Sequence, residues 1–196
     1  MKLSEIFAAL GDGELSNLGI VTDGVIDSDK LPKVMRNINL ALADLHTRFI
    51  LRKNMVEIVA VPEKTQYTID SPDFVEILTV SMAGAENSLL KPNTLYLKVD
   101  SPTVVVVQYK ATHPPLTESD ILNDSEVELP IAYLNALLYF IGSRMLMSIP
   151  NQMDGDLNEG TRYTQKYMEQ ITLLTNQGID VDTLSEPNKF NDRGFV

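Results

Sequence analysis

The sequence predicts an α+β protein: an antiparallel helical bundle with helices at about 30–50, 130–148 and 159–177, a small antiparallel β domain inserted at about 52–112, and an extended C-terminal tail. Three observations carry this prediction. Leu31, Met35, Ile38, Leu42, Leu45 and Phe49 follow one another at spacings of four and three, which makes one apolar stripe along a helix. From Arg52 to about Lys110 the period changes to alternating, β-branched runs cut by turn residues. The stretch "VELPIAYLNALLYFIGSRMLMSIP" (127–150) is then apolar on nearly all sides, as a helix in the middle of a core would be.

Taken in order, Leu3 to Leu10 reads as a short helix ending at Gly11, with a second short turn at Leu15 to Leu18. The long helix begins in "DSDKLPKV", where Ser28 or Asp29 is placed to cap it and Pro32 falls in its first turn. Lys33, Arg36, Asn37, Asp44 and Thr47 form its wet side, with His46 at the boundary. Strands are predicted at 56–61, 67–69, 74–81, 94–99 and 103–110, a single sheet of about four or five. Leu95, Leu97 and Val99 alternate with Tyr96 and Lys98, giving one buried and one exposed face, whereas the unbroken run Val104 to Val107 reads as covered on both sides. After the linker "ATHPPLTESD", Pro130 starts the apolar helix and Pro150 stops it. A polar loop leads to the last helix, whose stripe is Tyr163, Tyr167, Ile171 and Leu174, with Gly178 as its cap. The segment from Ile179 has few apolar residues and no period, so it is expected to be extended. The expected division is thus 1–51 with 113–178 as the helical part, 52–112 as the β insertion and 179–196 as an extended C-terminal arm.

Composition narrows the function. A chain of 196 residues with 44% hydrophobic and 22% charged residues can bury a core. Its net charge of −11 disfavours a surface that holds nucleic acid or anionic lipid, though an acidic wall suits a passage through which DNA slides. Residues 1–112 carry 14 acidic and 11 basic side chains and residues 113–196 carry 13 and 5, so the second half is the more acidic at −8 against −3. The absence of cysteine excludes disulfides, thiolate metal sites and cysteine nucleophiles. The first residues, with Lys2 and Glu5, contain no signal-peptide core, and the expected place of synthesis is a cytoplasm. The apolar stretch fails as a membrane span, because Asn135 and Gly142-Ser143-Arg144 interrupt it.

Chemistry is sparse. His46 and His113 stand at no triad or metal-ligand spacing, and both read as structural or solvated. Ser143 lies within a helix and lacks a nucleophile elbow. "GDGELSN" (11–17) is a turn, since its two acids would repel phosphate. Asp154, Asp156 and Asn158 match positions 1, 3 and 5 of a calcium loop, but Glu159 replaces the required glycine and Gln165 the final glutamate. The favoured reading there is a capped turn without metal. No close catalytic carboxylate pair can be assigned, no cofactor is called for, and the chain reads as a structural or binding protein and not an enzyme.

"GELSNLGIVTDGVID…LPKVMRNINLALADLHTRFIL", then a β insertion, "VVVVQYKATHPPLT", "ELPIAYLNALLYFIGSRM" and a tyrosine-bearing last helix together resemble the head-to-tail adaptor proteins of tailed bacteriophages, those of short-tailed phages most of all. The likeness covers nearly the whole chain as an order of elements, without a catalytic motif. It implies a virion connector at the capsid–tail junction: a ring of twelve copies beneath the portal protein, bound on the other side by a tail tube or nozzle protein. DNA would pass through the ring without specific binding. The β-rich part would contact neighbours or the next tail component. It also implies that the C-terminal arm docks on the portal, which by position maps to Lys189, Phe190, Asn191, Asp192, Arg193, Phe195 and Val196. Other ring proteins of the neck or tail, such as a tail terminator, remain open on these residues, as does a soluble domain that binds a small ligand.

Overall fold

The computed structural model describes residues 1–12, 16, 19, 21–22, 25–81, 86–147 and 154–178. The chain divides into two compact units, one formed by residues 1–45 and 115–196 and the other by residues 46–114.

The first unit is mainly helical. Helix α1 (Leu3–Gly11) buries Leu3, Ile6 and Leu10, and the chain start is fastened beside it. The Met1 ammonium donates to the Val127 carbonyl at 3.0 Å, the Val127 N–H donates back to Met1 at 2.7 Å, and Ser4 N–H donates to Asp124 Oδ1 at 2.9 Å. The two-residue strands β1 (Val21–Thr22) and β2 (Val25–Ile26) form a small hairpin before helix α2 (Leu31–Arg48), whose last three residues belong to the second unit. Neither Ser28 nor Asp29 caps α2. Asp27 takes that place: its carbonyl receives the N–H groups of Lys30 and Leu31, and its carboxylate that of Asp29 at 3.2 Å. A five-residue helix α3 (Glu118–Leu122), in the segment expected to be linker, starts where Thr117 N–H donates to Asp120 Oδ2 at 2.7 Å. A 3-10 turn (Ile131–Tyr133) then leads into α4 (Leu134–Met147), and α5 (Asp154–Gln177) closes the unit.

The expected antiparallel three-helix bundle is not what forms. Only α4 and α5 run against each other along their length; α2 has no comparable seam with either. A hydrogen bond from the Tyr167 hydroxyl to Asp44 Oδ2 joins α5 to α2. The physical reason lies in α2 itself. A bundle seam is a narrow stripe, but α2 also buries Val34, Asn37 and Ala41 beside Met35, Ile38, Leu42 and Leu45, so it is enclosed over a broad arc. Asn37, expected on the wet side, is therefore in the interior. The apolar helix α4 does sit in a core: among its described side chains only Asn135 and Arg144 are exposed. Its partner face on α5 is the predicted stripe Tyr163, Tyr167, Ile171 and Leu174, all buried. Ring contacts such as Phe140–Tyr167, with centroids 5.3 Å apart, set the spacing.

The second unit is a small β-sandwich instead of a single sheet. One sheet has the order β3 (Lys53–Ala60), β8 (Thr103–Ala111), β5 (Phe74–Ser81); the other has β4 (Gln66–Thr68), β7 (Thr94–Lys98), β6 (Glu86–Lys91). All pairings are antiparallel. The core between the sheets contains Ala60, Tyr67, Leu95, Leu97, Val105 and Val107, with Val56, Ile58 and Ile77 packed on it. Val104 corrects the reading of the valine run: it is 57% exposed while Val105 and Val107 are fully buried, so the run alternates after all. Strand β6 was missed because "ENSLLK" lacks β-branched residues.

The unit boundary redistributes the charge. Residues 46–114 hold seven basic and seven acidic side chains and are neutral, while the other unit holds nine and twenty and carries the whole −11.

Candidate functional site

In the helical unit, the first half of α2 and residues 116–118 enclose an open groove of about 450 Å³. Leu31, Pro32, Met35, Leu40 and Leu116 give it an apolar floor, and Arg36 and Glu118 put one charge of each sign on its lining. Its wall is held by Asn39, whose carboxamide acts as a surrogate peptide group. Asn39 Nδ2 donates to the Leu116 carbonyl at 2.9 Å, and Leu116 N–H donates to Asn39 Oδ1 at 2.8 Å. With both polar ends of Asn39 engaged, the groove offers shape and apolar surface, and its charged groups suit binding more than proton transfer.

In the β unit, Asp73 gathers the densest polar cluster. Its carboxylate accepts from Ser71 Oγ, from the Tyr109 hydroxyl at 3.1 Å and from Asn54 Nδ2 at 2.5 Å. Burial pushes the Asp73 carboxyl upward, but the hydrogen bonds from Ser71, Tyr109 and Asn54 outweigh it and hold the group below the usual aspartate value. Asn54 and Tyr109 are cross-strand partners on β3 and β8, so the cluster pins the 71–73 turn to the sheet. Asp124, in the other unit, is also lowered, mainly by the hydrogen bond from the Ser4 backbone.

The two histidines come together although 67 positions separate them. Their rings meet edge to face at 5.6 Å, and His46, expected at the boundary, is fully buried with Nδ1 3.3 Å from the Ala111 carbonyl. Lys110 is buried as well, its ammonium donating to the Thr47 carbonyl at 2.8 Å and to Glu76 at 3.2 Å. Ser143 spends its hydroxyl on the Phe140 carbonyl of its own helix at 2.8 Å. Asp154, Asp156 and Asn158 fall on the first turns of α5, a helical backbone and not the loop that a calcium ligand set requires. Among the described residues no group of three or more His, Asp or Glu side chains is placed to hold a metal, and no helix is long and apolar enough to cross a membrane.

The residues assigned to portal docking, Lys189, Phe190, Asn191, Asp192, Arg193, Phe195 and Val196, lie outside the described residues. Neither the groove nor the Asp73 cluster was read from the sequence. Asn39 and Leu116 are 77 positions apart, and no local pattern marks either. Compared with known proteins, the chain matches no family model and no curated protein.

Proposed function

We propose that this protein is a structural, non-enzymatic component of a bacteriophage virion, a ring-forming connector between the capsid portal and the tail through which DNA passes. The observation that carries the proposal is the order of elements: a helical unit built from both ends of the chain, interrupted by a β-sandwich, in the segments that resemble head-to-tail adaptors. The acidity of the helical unit supports it, because phosphate is repelled from such a surface and DNA does not adhere.

The test is the mass of the purified chain alone and mixed with the portal protein of the same virus. A ring that forms with portal is the expected result, and a monomer in both samples refutes the proposal. Deleting Lys189–Val196 is expected to abolish attachment with the thermal melt unchanged; normal binding by the shortened chain removes the portal-docking role from the arm. A second reading, a domain that binds a small ligand, draws on the groove beside Asn39. It predicts that the full chain stays monomeric beside portal and that ligand shifts the methyl resonances of Leu40, which lines the groove and is exposed.

A further inference from the structure

The groove on α2 leaves few polar groups for an occupant. Asn39 is spent on the Leu116 backbone, and Thr117 Oγ1 on Ser119 and Asp120, so Arg36 and Glu118 are what remains. Both are exposed, and among the described residues neither makes an ion pair or a side-chain hydrogen bond. Between them Met35, Leu40 and Leu116 offer an apolar floor, with Leu40 45% exposed. A fitting occupant has a large apolar side chain flanked by charges of both signs. Nucleic acid and anionic lipid bring phosphate alone and meet Glu118 as a like charge.

The chain contains such a segment. "KFNDRGFV" (189–196), outside the described residues, carries Phe190 and Phe195 together with Lys189, Asp192 and Arg193. Its net charge is +1, whereas the helical unit without it holds seven basic and nineteen acidic side chains. Opposite charge therefore draws the segment toward its own unit. Its length suffices. Tyr167 is bonded to Asp44, and Gln177 lies ten residues further, about 15 Å along α5. Met35 lies nine residues before Asp44, about 14 Å along α2. With about 10 Å between the two helices, the path is at most about 40 Å in any relative direction. The 13 residues from Gln177 to Phe190 span about 43 Å when extended.

We propose that the groove is a docking site for residues 189–196 of the same chain. One phenylalanine lies on the floor, Lys189 and Arg193 answer Glu118, and Asp192 answers Arg36. The contact is small, but a short flexible tether supplies an effective concentration on the order of 1 mM, so a contact of about 1 mM affinity is half filled. Half filling shifts the folding equilibrium only about two-fold, and losing the contact leaves the melt unchanged. The docked segment is withheld from other partners until one displaces it. This contact needs no portal and stands apart from the connector reading; if both hold, the portal is the competitor.

The test is methyl NMR of the full chain beside its Phe190→Ser/Phe195→Ser variant, without portal. The parent is expected to show Overhauser contacts from a phenylalanine ring to the Leu40 methyls, and the Met35 and Leu40 methyls are expected to shift in the variant. Adding the peptide KFNDRGFV to the variant should return them toward the parent positions with a midpoint on the order of 1 mM. Glu118→Gln in the variant, or a rise from about 0.1 M to about 1 M salt, is expected to weaken that binding several-fold. Methyls that are identical in parent and variant leave the groove to a small ligand and overturn the proposal. Shifts that grow with protein concentration assign it to a second copy and overturn it as well. A chain whose groove holds the segment yet that ignores portal refutes the connector reading alone.

Discussion

Asn39 is the sharpest single test of how the helical unit is assembled. Its carboxamide makes two hydrogen bonds to the Leu116 backbone, at 2.9 and 2.8 Å, and so ties the chain returning from the β unit to the middle of α2. Asn39→Ala removes both. A neutral hydrogen bond contributes about 1 kcal/mol net, and each backbone group left without a partner costs about 1–3 kcal/mol. Leu116 is only 7% exposed, but the groove beside it is open and water can reach part of the lost bonding. The two effects together predict a loss of about 2–3 kcal/mol. Asn39→Asp keeps the acceptor for the Leu116 N–H but sets a carboxylate against the Leu116 carbonyl, so at neutral pH it is expected to be no better than alanine. Urea unfolding followed by the far-UV helix signal reads the helical unit directly. An Asn39→Ala protein within about 0.5 kcal/mol of the parent, the range of an ordinary surface change, refutes the surrogate-peptide role.

Two further predictions concern the β unit. Folding favours the ionised form of Asp73, whose carboxyl is held below its ordinary value, so its contribution is complete above about pH 5 and is lost as pH falls through the folded value. The gap in melting temperature between the parent and Asp73→Asn should therefore hold steady above about pH 5 and narrow as pH falls below about 4; a gap that stays constant there refutes the argument. Glu76→Ala leaves the buried Lys110 ammonium with the Thr47 carbonyl and is expected to cost about 1 kcal/mol, discounted because Glu76 is itself half exposed. Adding Lys110→Met should recover part of that loss in a double-mutant cycle, and strictly additive effects would show that the pair does not couple.

Where the sequence was legible, a local period matched a local burial pattern. The stripe Tyr163, Tyr167, Ile171, Leu174 and the alternation in β7 were readable because each element has one well-defined buried face. Elements fixed by distant partners were not. The α2 helix shows a clear stripe, yet its buried arc includes Asn37 and His46, whose polarity misassigned them to the surface. The start of α5 at Asp154 looked like a turn because Asp-Gly-Asp is turn-like, although acidic residues suit a helix N-terminus equally well. The pairing of Met1–Ser4 with residues 124–127 and the Asn39–Leu116 clasp join positions more than 70 apart, and no periodicity reaches that far. Val104 to Val107 misled for the opposite reason. Four valines in a row imply cover on both sides, and the structure leaves one side of that run open to solvent.

The charge partition is visible only once the two units are known. Divided at residue 112, the chain appears acidic throughout. Divided at the observed unit boundaries, the β unit is neutral and the helical unit carries all of the −11. Long-range repulsion is thereby assigned to one unit. The repulsion acts on any approaching anion and weakens with salt. On the proposed connector reading, neutralising acids of the helical unit is expected to slow DNA ejection, because phosphate is then repelled less strongly; an unchanged ejection rate counts against that role of the acidity.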